Sequence, residues 1–265
     1  VESWLNDLAT NKTRGRILSI YMMVSMGGLT IGQLLLNVSD ESGFKLFIIA
    51  SVLVSVSLVP VTLSATSSPP YTVPEPMKFK RLMTIVPTGL VGSFWSGATA
   101  GALIGMAPVY ASAVDLSAAR ISIFLSAPLV GALVVQYPIG WLSDQFPRRG
   151  VMFGVALVGA LAALVPLAVD DGSMVAIIAM AVLGASMFPL YSLTIAYTND
   201  WLKVEQILGA SATLVRTNGS GAVLGPLGAA LLMALFGPEY LFAALSASLA
   251  AIVVYLAYRI IAKDP

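Results

Sequence analysis

Side chains that could carry chemistry are few in this 265-residue sequence. It contains no His and no Cys, so it cannot build a zinc site, a haem ligand set, a thiol nucleophile or a Ser/His/Asp triad. Its 13 acidic residues all fall near the ends of long apolar stretches rather than inside them. We therefore predict that the protein is not an enzyme, with no catalytic residue, no metal and no cofactor, and expect its polar side chains to bind rather than to react.

Six polar or aromatic side chains lie inside otherwise apolar stretches and are candidates to line a central cavity. They are Gln33, Trp95, Gln136, Tyr137, Tyr191 and Arg216. A helical rise of about 1.5 Å per residue puts Gln33, Gln136 and Arg216 about 6 to 9 Å from the middle of their helices. Polar groups at such depth are costly in lipid and mark ligand pathways. The alternatives are an interhelical hydrogen bond for each Gln, packing for the aromatic residues and a side chain that reaches the membrane surface for Arg216.

A second candidate site is charged and lies in the segment Gly-Trp-Leu-Ser-Asp-Gln-Phe-Pro-Arg-Arg. Its candidate residues are Gly140, Asp144, Arg148 and Arg149. Asp144 follows an apolar stretch, and because the carbonyl groups at a helix C-terminus repel a carboxylate, it needs a cation or the N-terminus of another helix nearby. An ion contact that holds helices together in one state and breaks in another acts as a gate. We predict a cytoplasmic gate here, the alternative being that the arginines only set membrane orientation.

Composition identifies the elements that must position these side chains. The chain is 58% hydrophobic and 10% charged, whereas a soluble domain carries roughly 25% charge. Eight stretches lack Asp, Glu, Lys and Arg and reach about the 20 residues that an α-helix needs to cross a bilayer. They are 17–39, 46–74, 82–114, 121–143, 150–169, 172–199, 217–238 and 240–258. The seventh helix is predicted to begin before its stretch, near Gln206, with Arg216 inside it. The sequence thus predicts an all-α polytopic protein in a lipid bilayer, and its net charge of +1 gives no basic field for nucleic acid.

Orientation follows from the basic residues in the loops, because Lys and Arg stay on the cytoplasmic side. Alternate loops differ sharply in basic content. One side has Lys12, Arg14, Arg16, Lys78, Lys80, Arg81, Arg148, Arg149, Lys203, Arg259 and Lys263, and the other has Lys45 and Arg120. This distribution predicts a multi-pass protein with both ends of the chain in the cytoplasm.

The longest polar segment, 66–81, contains four prolines and a basic end. These features are typical of a cytoplasmic linker rather than a helix. We therefore divide the chain into residues 1–65 with two helices, a linker at 66–81, and residues 82–265 with six helices.

The segment from Gly140 to Arg149 resembles the G-x-L-x-D-R-x-G-R-R signature of the major facilitator superfamily, which joins helices two to three and eight to nine in that family. Further matches to its YcaD-like bacterial branch run along the whole chain. They include Val1-Glu2-Ser3, Arg14-Gly15-Arg16, Gly32-Gln33-Leu34-Leu35, Pro108-Val109-Tyr110, Gln136-Tyr137-Pro138-Ile139-Gly140 and Leu224-Gly225-Pro226. Gln145 and Pro147 replace a basic residue and a Gly of the signature, so the charge network of this loop is thinner than the family pattern.

The resemblance implies a major-facilitator-type bundle of twelve helices, of which this chain would hold helices five to twelve. Residues 1–65 would be the last two helices of the N-terminal six-helix bundle, and residues 82–265 the C-terminal bundle. It also implies a secondary active or facilitative transporter that moves a small solute across the bacterial inner membrane by alternating access, with a proton as one coupling ion to consider. We expect a monomer once the four missing helices are present. A receptor or scaffold that binds a ligand without moving it is the alternative, because fold does not fix function.

Overall fold

Helices account for all regular secondary structure in the described part of the chain. The computed structural model describes residues 24–25, 27–38, 44–63 and 77–262. These residues belong to two compact units, Val1–Val73 and Pro74–Pro265. The all-α prediction is confirmed, and six of the described helices are long and apolar enough to cross a membrane.

The first unit contributes a short helical segment and one apolar helix. Residues 24–25 and 27–34 are helical, and a 3₁₀ turn follows at Leu35–Val38. Helix α1 spans Lys45–Leu63 and is apolar and largely exposed along its length. The start of the first predicted stretch, 17–23, lies outside the described residues.

The second unit is a bundle of six long helices preceded by a short one, α2 (Phe79–Ile85). The long helices are α3 (Pro87–Ala113), α4 (Ala118–Gln145), α5 (Arg148–Leu164), α6 (Met174–Asn199), α7 (Val204–Phe236) and α8 (Tyr240–Ile261). Each follows one of the predicted apolar stretches closely. A 3₁₀ turn at Val165–Leu167 extends α5.

Local sequence explains where several of these helices begin. Ser117 and Ser173 precede α4 and α6, and their side-chain oxygens accept hydrogen bonds from the backbone N–H groups of Arg120 (3.4 Å) and Ala176 (3.2 Å). Serine is favoured there because the N–H groups of a first helical turn have no partner within the helix. Pro87 opens α3, where its missing N–H removes no hydrogen bond.

Helix α2 corrects the C-terminal end of the predicted linker. The sequence predicts no helix over 66–81, but residues 79–81 form the first turn of α2; residues 66–76 lie outside the described part. The chain breaks between α2 and α3 at Val86, where φ is −139° and ψ is 72°. Because Pro87 follows, its ring pushes Val86 out of the helical region.

The six long helices form two three-helix repeats that exchange partners. Helix α3 packs along α7, and α4 packs along α6, so the first helix of each repeat pairs with the second helix of the other. The third helices, α5 and α8, pack against each other. Helices α4 and α7 make little contact with one another, so each keeps one face outside the bundle.

Small residues allow the two exchanged pairs to approach closely. In the α3–α7 pair, a Cβ added to Gly225 would overlap the backbone carbonyl of Ala98. In the α4–α6 pair, a Cβ added to Gly131 would overlap the backbone carbonyl of Ala181. Close backbone packing at small residues is a main source of helix association in membranes, where burying apolar surface against another helix gains little over lipid.

The loops at the two ends of the bundle differ in their content of basic residues. We call the end that holds the α4–α5 and α6–α7 loops the basic end, since it carries Arg148, Arg149 and Lys203. At the opposite end, Tyr110 of α3 is buried against Phe242 of α8, with ring centroids 4.7 Å apart, and its hydroxyl donates a hydrogen bond to a carboxylate oxygen of Asp171. This contact ties α3 and α8 to the loop between α5 and α6.

Candidate functional site

A cavity of about 610 Å³ lies between α2, α3 and α7 of the second unit. Its lining consists of Met77, Lys78, Phe79, Met83, Leu90, Val91, Phe94, Trp95, Thr213, Arg216, Thr217 and Ser220. Two of the six predicted cavity residues, Trp95 and Arg216, are therefore brought together, one on each side of the same cavity. The volume lies within the range of about 300 to 1,000 Å³ that is usual for small-molecule sites.

Hydrogen bonds hold the segment before α2 against α7 and so fix one wall of this cavity. The backbone N–H of Met77 donates to the carbonyl oxygen of Gly209 at 2.9 Å. The Thr213 hydroxyl donates to the carbonyl oxygen of Met77 at 2.5 Å. Because both bonds involve backbone atoms of Met77, α2 begins at a defined position beside α7.

The α3–α7 pair closes the cavity on the side of the bundle interior. Asn218 of α7 donates from Nδ2 to the carbonyl oxygen of Ser93 (3.0 Å) and to the hydroxyl of Ser96 (3.2 Å). On α3, the rings of Phe94 and Trp95 meet edge to face with centroids 5.4 Å apart. The cavity therefore has a firm aromatic wall on α3 and an arginine on the face of α7 that the rest of the bundle leaves exposed.

The other four predicted cavity residues lie elsewhere. Gln136 of α4 donates from Nε2 to the hydroxyl of Ser192 on α6 at 3.4 Å, which is the interhelical bond considered as its alternative. Its neighbour Tyr137 is 73% exposed, and Tyr191 is half-buried on α6. Gln33 belongs to the first unit and is also half-buried. The lining of the cavity in the second unit thus includes Trp95 and Arg216 but none of the other four predicted residues.

The charged segment forms a network centred on Arg148. Its Nη2 lies 3.2 Å from Oδ1 of Asp144 at the end of α4, and its Nε lies 2.8 Å from Oδ2 of Asp200 at the end of α6. Its Nη1 donates to the Ser143 hydroxyl at 3.1 Å, and that hydroxyl donates to the carbonyl oxygen of Gly140. Arg148 therefore bridges the basic ends of α4 and α6 from the first residue of α5.

Arg149 contacts α6 in a different way. Its Nε donates to the Tyr197 hydroxyl at 2.6 Å, and its guanidinium carbon lies 5.3 Å from the centre of the Tyr197 ring. Guanidinium groups bind aromatic faces well because they are planar and weakly hydrated. Both arginines of the segment thus bind α6, although the sequence places them beside α4.

Gly140 takes a minor part in the network. It is exposed on α4, and a Cβ added there would meet nothing within 4 Å. Only its carbonyl oxygen, through Ser143, connects it with Arg148.

Sequence reasoning missed three residues that the structure places at these sites. Asp200 and Tyr197 end an apolar stretch on the same predicted side as Arg148, and that shared side was the only signal available for them. Lys78, which lines the cavity, was interpreted only as an orientation signal. Its position next to the start of α2 gave no indication that the chain turns back against α7.

Comparison with known proteins places most of the second unit in one family. The Major Facilitator Superfamily profile matches residues 89–265. The uncharacterized MFS-type transporter YcaD of Escherichia fergusonii is 26% identical over 247 residues, which cover 91% of this chain and 63% of the relative. The uncharacterized MFS-type transporter YE1530 of Yersinia enterocolitica is 27% identical over 250 residues, and YcaD of Salmonella newport is 28% identical over 249, with the same coverage. The chain spans about 63% of the length of these curated relatives.

Proposed function

Because the chain belongs to the major facilitator superfamily, we propose that the whole protein is a secondary active or facilitative transporter of a small solute. The resemblance to that family and to its YcaD-like members is confirmed, and the protein is a multi-pass membrane protein. The observation that most supports transport is the cavity between α2, α3 and α7, which lies beside a bundle of exchanged helix repeats. Such repeats are the common architecture of carriers that work by alternating access.

In this proposal, the cavity residues on α3 and α7 are the first to contact the solute. Trp95 and Arg216 are the strongest candidates because they face one space large enough for a small molecule. Gln136, Tyr137, Tyr191 and Gln33 are proposed as further contacts. Tyr137 is largely exposed on α4, as a residue facing a central pathway would be in one half of a carrier.

The network around Arg148 is proposed to hold the basic end of the second unit in one piece. Asp144, Arg148 and Asp200 all belong to that unit, so their bonds join α4, α5 and α6 to one another. A gate that depends on them would then act by keeping these three helix ends together as the unit moves. The predicted role of Asp144 as a cytoplasmic latch stays a prediction, and Arg149 with Tyr197 would support the same contact.

Placement in the bacterial inner membrane, with both chain ends cytoplasmic and the protein acting as a monomer, is also part of the proposal. Support comes from the distribution of Lys and Arg over the loops, since eleven of these residues fall on one side of the predicted topology and only Lys45 and Arg120 on the other. Helices α3 to α8 carry no Asp or Glu near their middle. If a proton is the coupling ion, the residue that carries it is therefore not an acidic residue in the middle of these six helices.

Transport is tested with the protein expressed from its complete gene. A thermal-shift screen against metabolites and drugs identifies ligands, since a ligand that binds the folded state raises the melting temperature. Each ligand is then offered to proteoliposomes, with protein-free liposomes as the control. We expect saturable uptake of at least one of them. Binding without any flux, in either direction and with or without a proton gradient, would instead identify a receptor with a transporter fold.

A further inference from the structure

The polar groups that line the cavity between α2, α3 and α7 point to the class of its ligand. We propose that this cavity binds an amphiphilic organic anion, with a carboxylate, sulfonate or phosphate group held near Lys78 and Arg216 and an apolar body against α3. This inference rests on the proposed transport function only in assuming that the bound ligand is the transported solute.

Charge is the first argument. The lining contains two cations, Lys78 and Arg216, and neither Asp nor Glu. Among the residues that the structure describes, neither cation has an ion pair or a side-chain hydrogen bond. Arg216 lies about twelve residues into α7, about 18 Å from its start at the helical rise, where an arginine facing an apolar wall is costly. A bound anion would offset that cost.

The hydroxyl groups of the lining already donate their protons to backbone carbonyl groups, which limits the side-chain donors left for a ligand. The Thr217 hydroxyl donates to the Thr213 carbonyl at 2.8 Å, and the Ser220 hydroxyl donates to the Arg216 carbonyl at 2.9 Å. The Thr213 hydroxyl donates to Met77. The side-chain donors left for a ligand are therefore the two cationic groups and the indole N–H of Trp95, which has no partner among the described residues.

These donors select a ligand that accepts hydrogen bonds and carries negative charge. A guanidinium binds a carboxylate or a phosphate through two parallel bonds, which gives both strength and orientation. A cationic ligand would be repelled by both side chains. A neutral ligand would leave the two charges without a partner, so it would bind more weakly than an anion of the same shape.

The volume of the cavity and the apolar character of its remaining wall indicate what the rest of the ligand is. The remaining wall is apolar and partly aromatic, with Phe79 and Met83 on α2 and Leu90, Phe94 and Trp95 on α3. A volume of about 610 Å³ exceeds what a lone carboxylate or phosphate would fill. The apolar part of the ligand would occupy this wall, because removing apolar surface from water stabilises the bound state.

Two sources can supply such a ligand, either a dissolved organic anion or an anionic phospholipid from the surrounding leaflet. Both present one anionic group on an apolar body, so they share the chemistry that the cavity recognises. The lipid composition of the membrane in which binding is measured distinguishes them.

The test measures binding of matched probes to the protein expressed from its complete gene, in nanodiscs made only of phosphatidylcholine. The probes are radiolabelled 4-phenylbutyrate and its neutral amide, 4-phenylbutanamide, which share one apolar body. We expect the anion to bind at least tenfold more tightly than the amide. Arg216→Gln should weaken anion binding about tenfold, equivalent to about 1.4 kcal/mol, and should leave amide binding unchanged.

Matched variants separate charge from folding. Arg216→Lys keeps the charge and should retain most of the anion affinity. Lys78→Gln should weaken binding about threefold, whereas Lys80→Gln, two residues further along in the first turn of α2 but outside the cavity lining, should not change it. If Arg216→Gln lowers the melting temperature, the comparison of Lys78→Gln with Lys80→Gln still decides the question. Equal affinity for the two probes, or variants at both Arg216 and Lys78 without effect, would overturn the proposal.

Adding phosphatidylglycerol to the nanodiscs identifies the source. If it lowers binding of 4-phenylbutyrate to the unsubstituted protein but not to Arg216→Gln, a phospholipid group occupies the cavity. If it has no effect, a dissolved anion is the natural ligand, and both outcomes support the anion site. Flux is measured separately in proteoliposomes. Charge-selective binding without flux would refute the transport function alone, and flux of a solute without charge-selective binding would refute this inference alone.

Discussion

Replacing Asp200 by Asn should loosen the basic end of the second unit more than the same change at Asp144. Arg148 bonds both carboxylates, but its distance to Asp200 is 2.8 Å and its distance to Asp144 is 3.2 Å. The Asp144 side chain is 66% exposed and that of Asp200 is 51% exposed. Solvent and salt screen both pairs, and the more exposed and longer contact is screened more.

The expected magnitudes follow from these distances and exposures. Measured exposed ion pairs contribute about 0.2 to 1 kcal/mol. The short bond to Asp200, from an arginine that is 24% exposed, belongs near the upper limit, at about 1 kcal/mol. The bond to Asp144 is expected to contribute about 0.3 to 0.5 kcal/mol to stability. A change of 1 kcal/mol alters the population of the opened state about fivefold, and a change of 0.5 kcal/mol about twofold.

Thiol labelling measures that opening directly, because the chain contains no Cys. Val151 lies in the first turn of α5 with a buried side chain, so Val151→Cys should react with a water-soluble maleimide only when the start of α5 leaves the bundle. In this background, Asp200→Asn should raise the labelling rate about fivefold, and Asp144→Asn about twofold. Asp170→Asn, at the opposite end, is the control and should leave the rate unchanged.

A double substitution provides the stricter test of the reasoning. Once Arg148→Gln has removed the shared cation, Asp200→Asn should no longer raise the labelling rate. If Asp144→Asn has the larger effect, or if Asp200→Asn acts equally with and without Arg148, then the network does not work through this arginine.

Three further outcomes are expected. Cys at position 146 should be shielded from an impermeant thiol reagent applied outside cells and Cys at position 117 should be labelled, and labelling at 146 from outside would contradict the topology. Gly225→Ala should destabilise the protein by about 1 to 3 kcal/mol in urea or thermal unfolding, because the added Cβ overlaps α3. Gly228→Ala is the control and should be neutral or slightly stabilising in the same series, because a Cβ there would meet nothing within 4 Å. Tyr110→Phe removes one hydrogen bond at the opposite end and should lower stability by about 1 kcal/mol; an unchanged melting temperature would show that this bond contributes nothing.

Helix positions were predictable because they depend on properties that are local in sequence. An apolar stretch long enough to cross a bilayer must satisfy its backbone hydrogen bonds internally, so it forms a helix over nearly its whole length. The stretch 121–143 became α4, Ala118–Gln145, and the stretch 240–258 became α8, Tyr240–Ile261. Within the described residues, the exception is the last part of the linker, where a polar composition hid the short helix α2, which ends before Pro87.

The contacts between helices were not predictable because they depend on which helices pair. Asp144 needed a cation, and the sequence offered Arg148 four residues away. The stronger partner of that cation, Asp200, lies 52 residues from it and becomes a neighbour because α5, which begins with Arg148, packs against α6. In the same way, Arg216 and Trp95 were expected near a cavity, but the contribution of Lys78 depends on the bond between Thr213 and the backbone of Met77.

The exchange of partners between the two repeats has a consequence for how the protein is made. Helix α3 ends at Ala113 and its partner α7 ends at Phe236, so about 120 residues must be synthesised between them, which takes about 6 to 25 s at 5 to 20 residues per second. During that time the face of α3 that packs on α7, with Gly97 and Gly101, the Ser93 carbonyl group and the Ser96 hydroxyl group, is in the membrane without α7. Until α7 arrives, this face must be covered by lipid, by the insertion machinery or by another helix, and a nascent chain that stalls within this interval would present it to any other small-residue helix nearby.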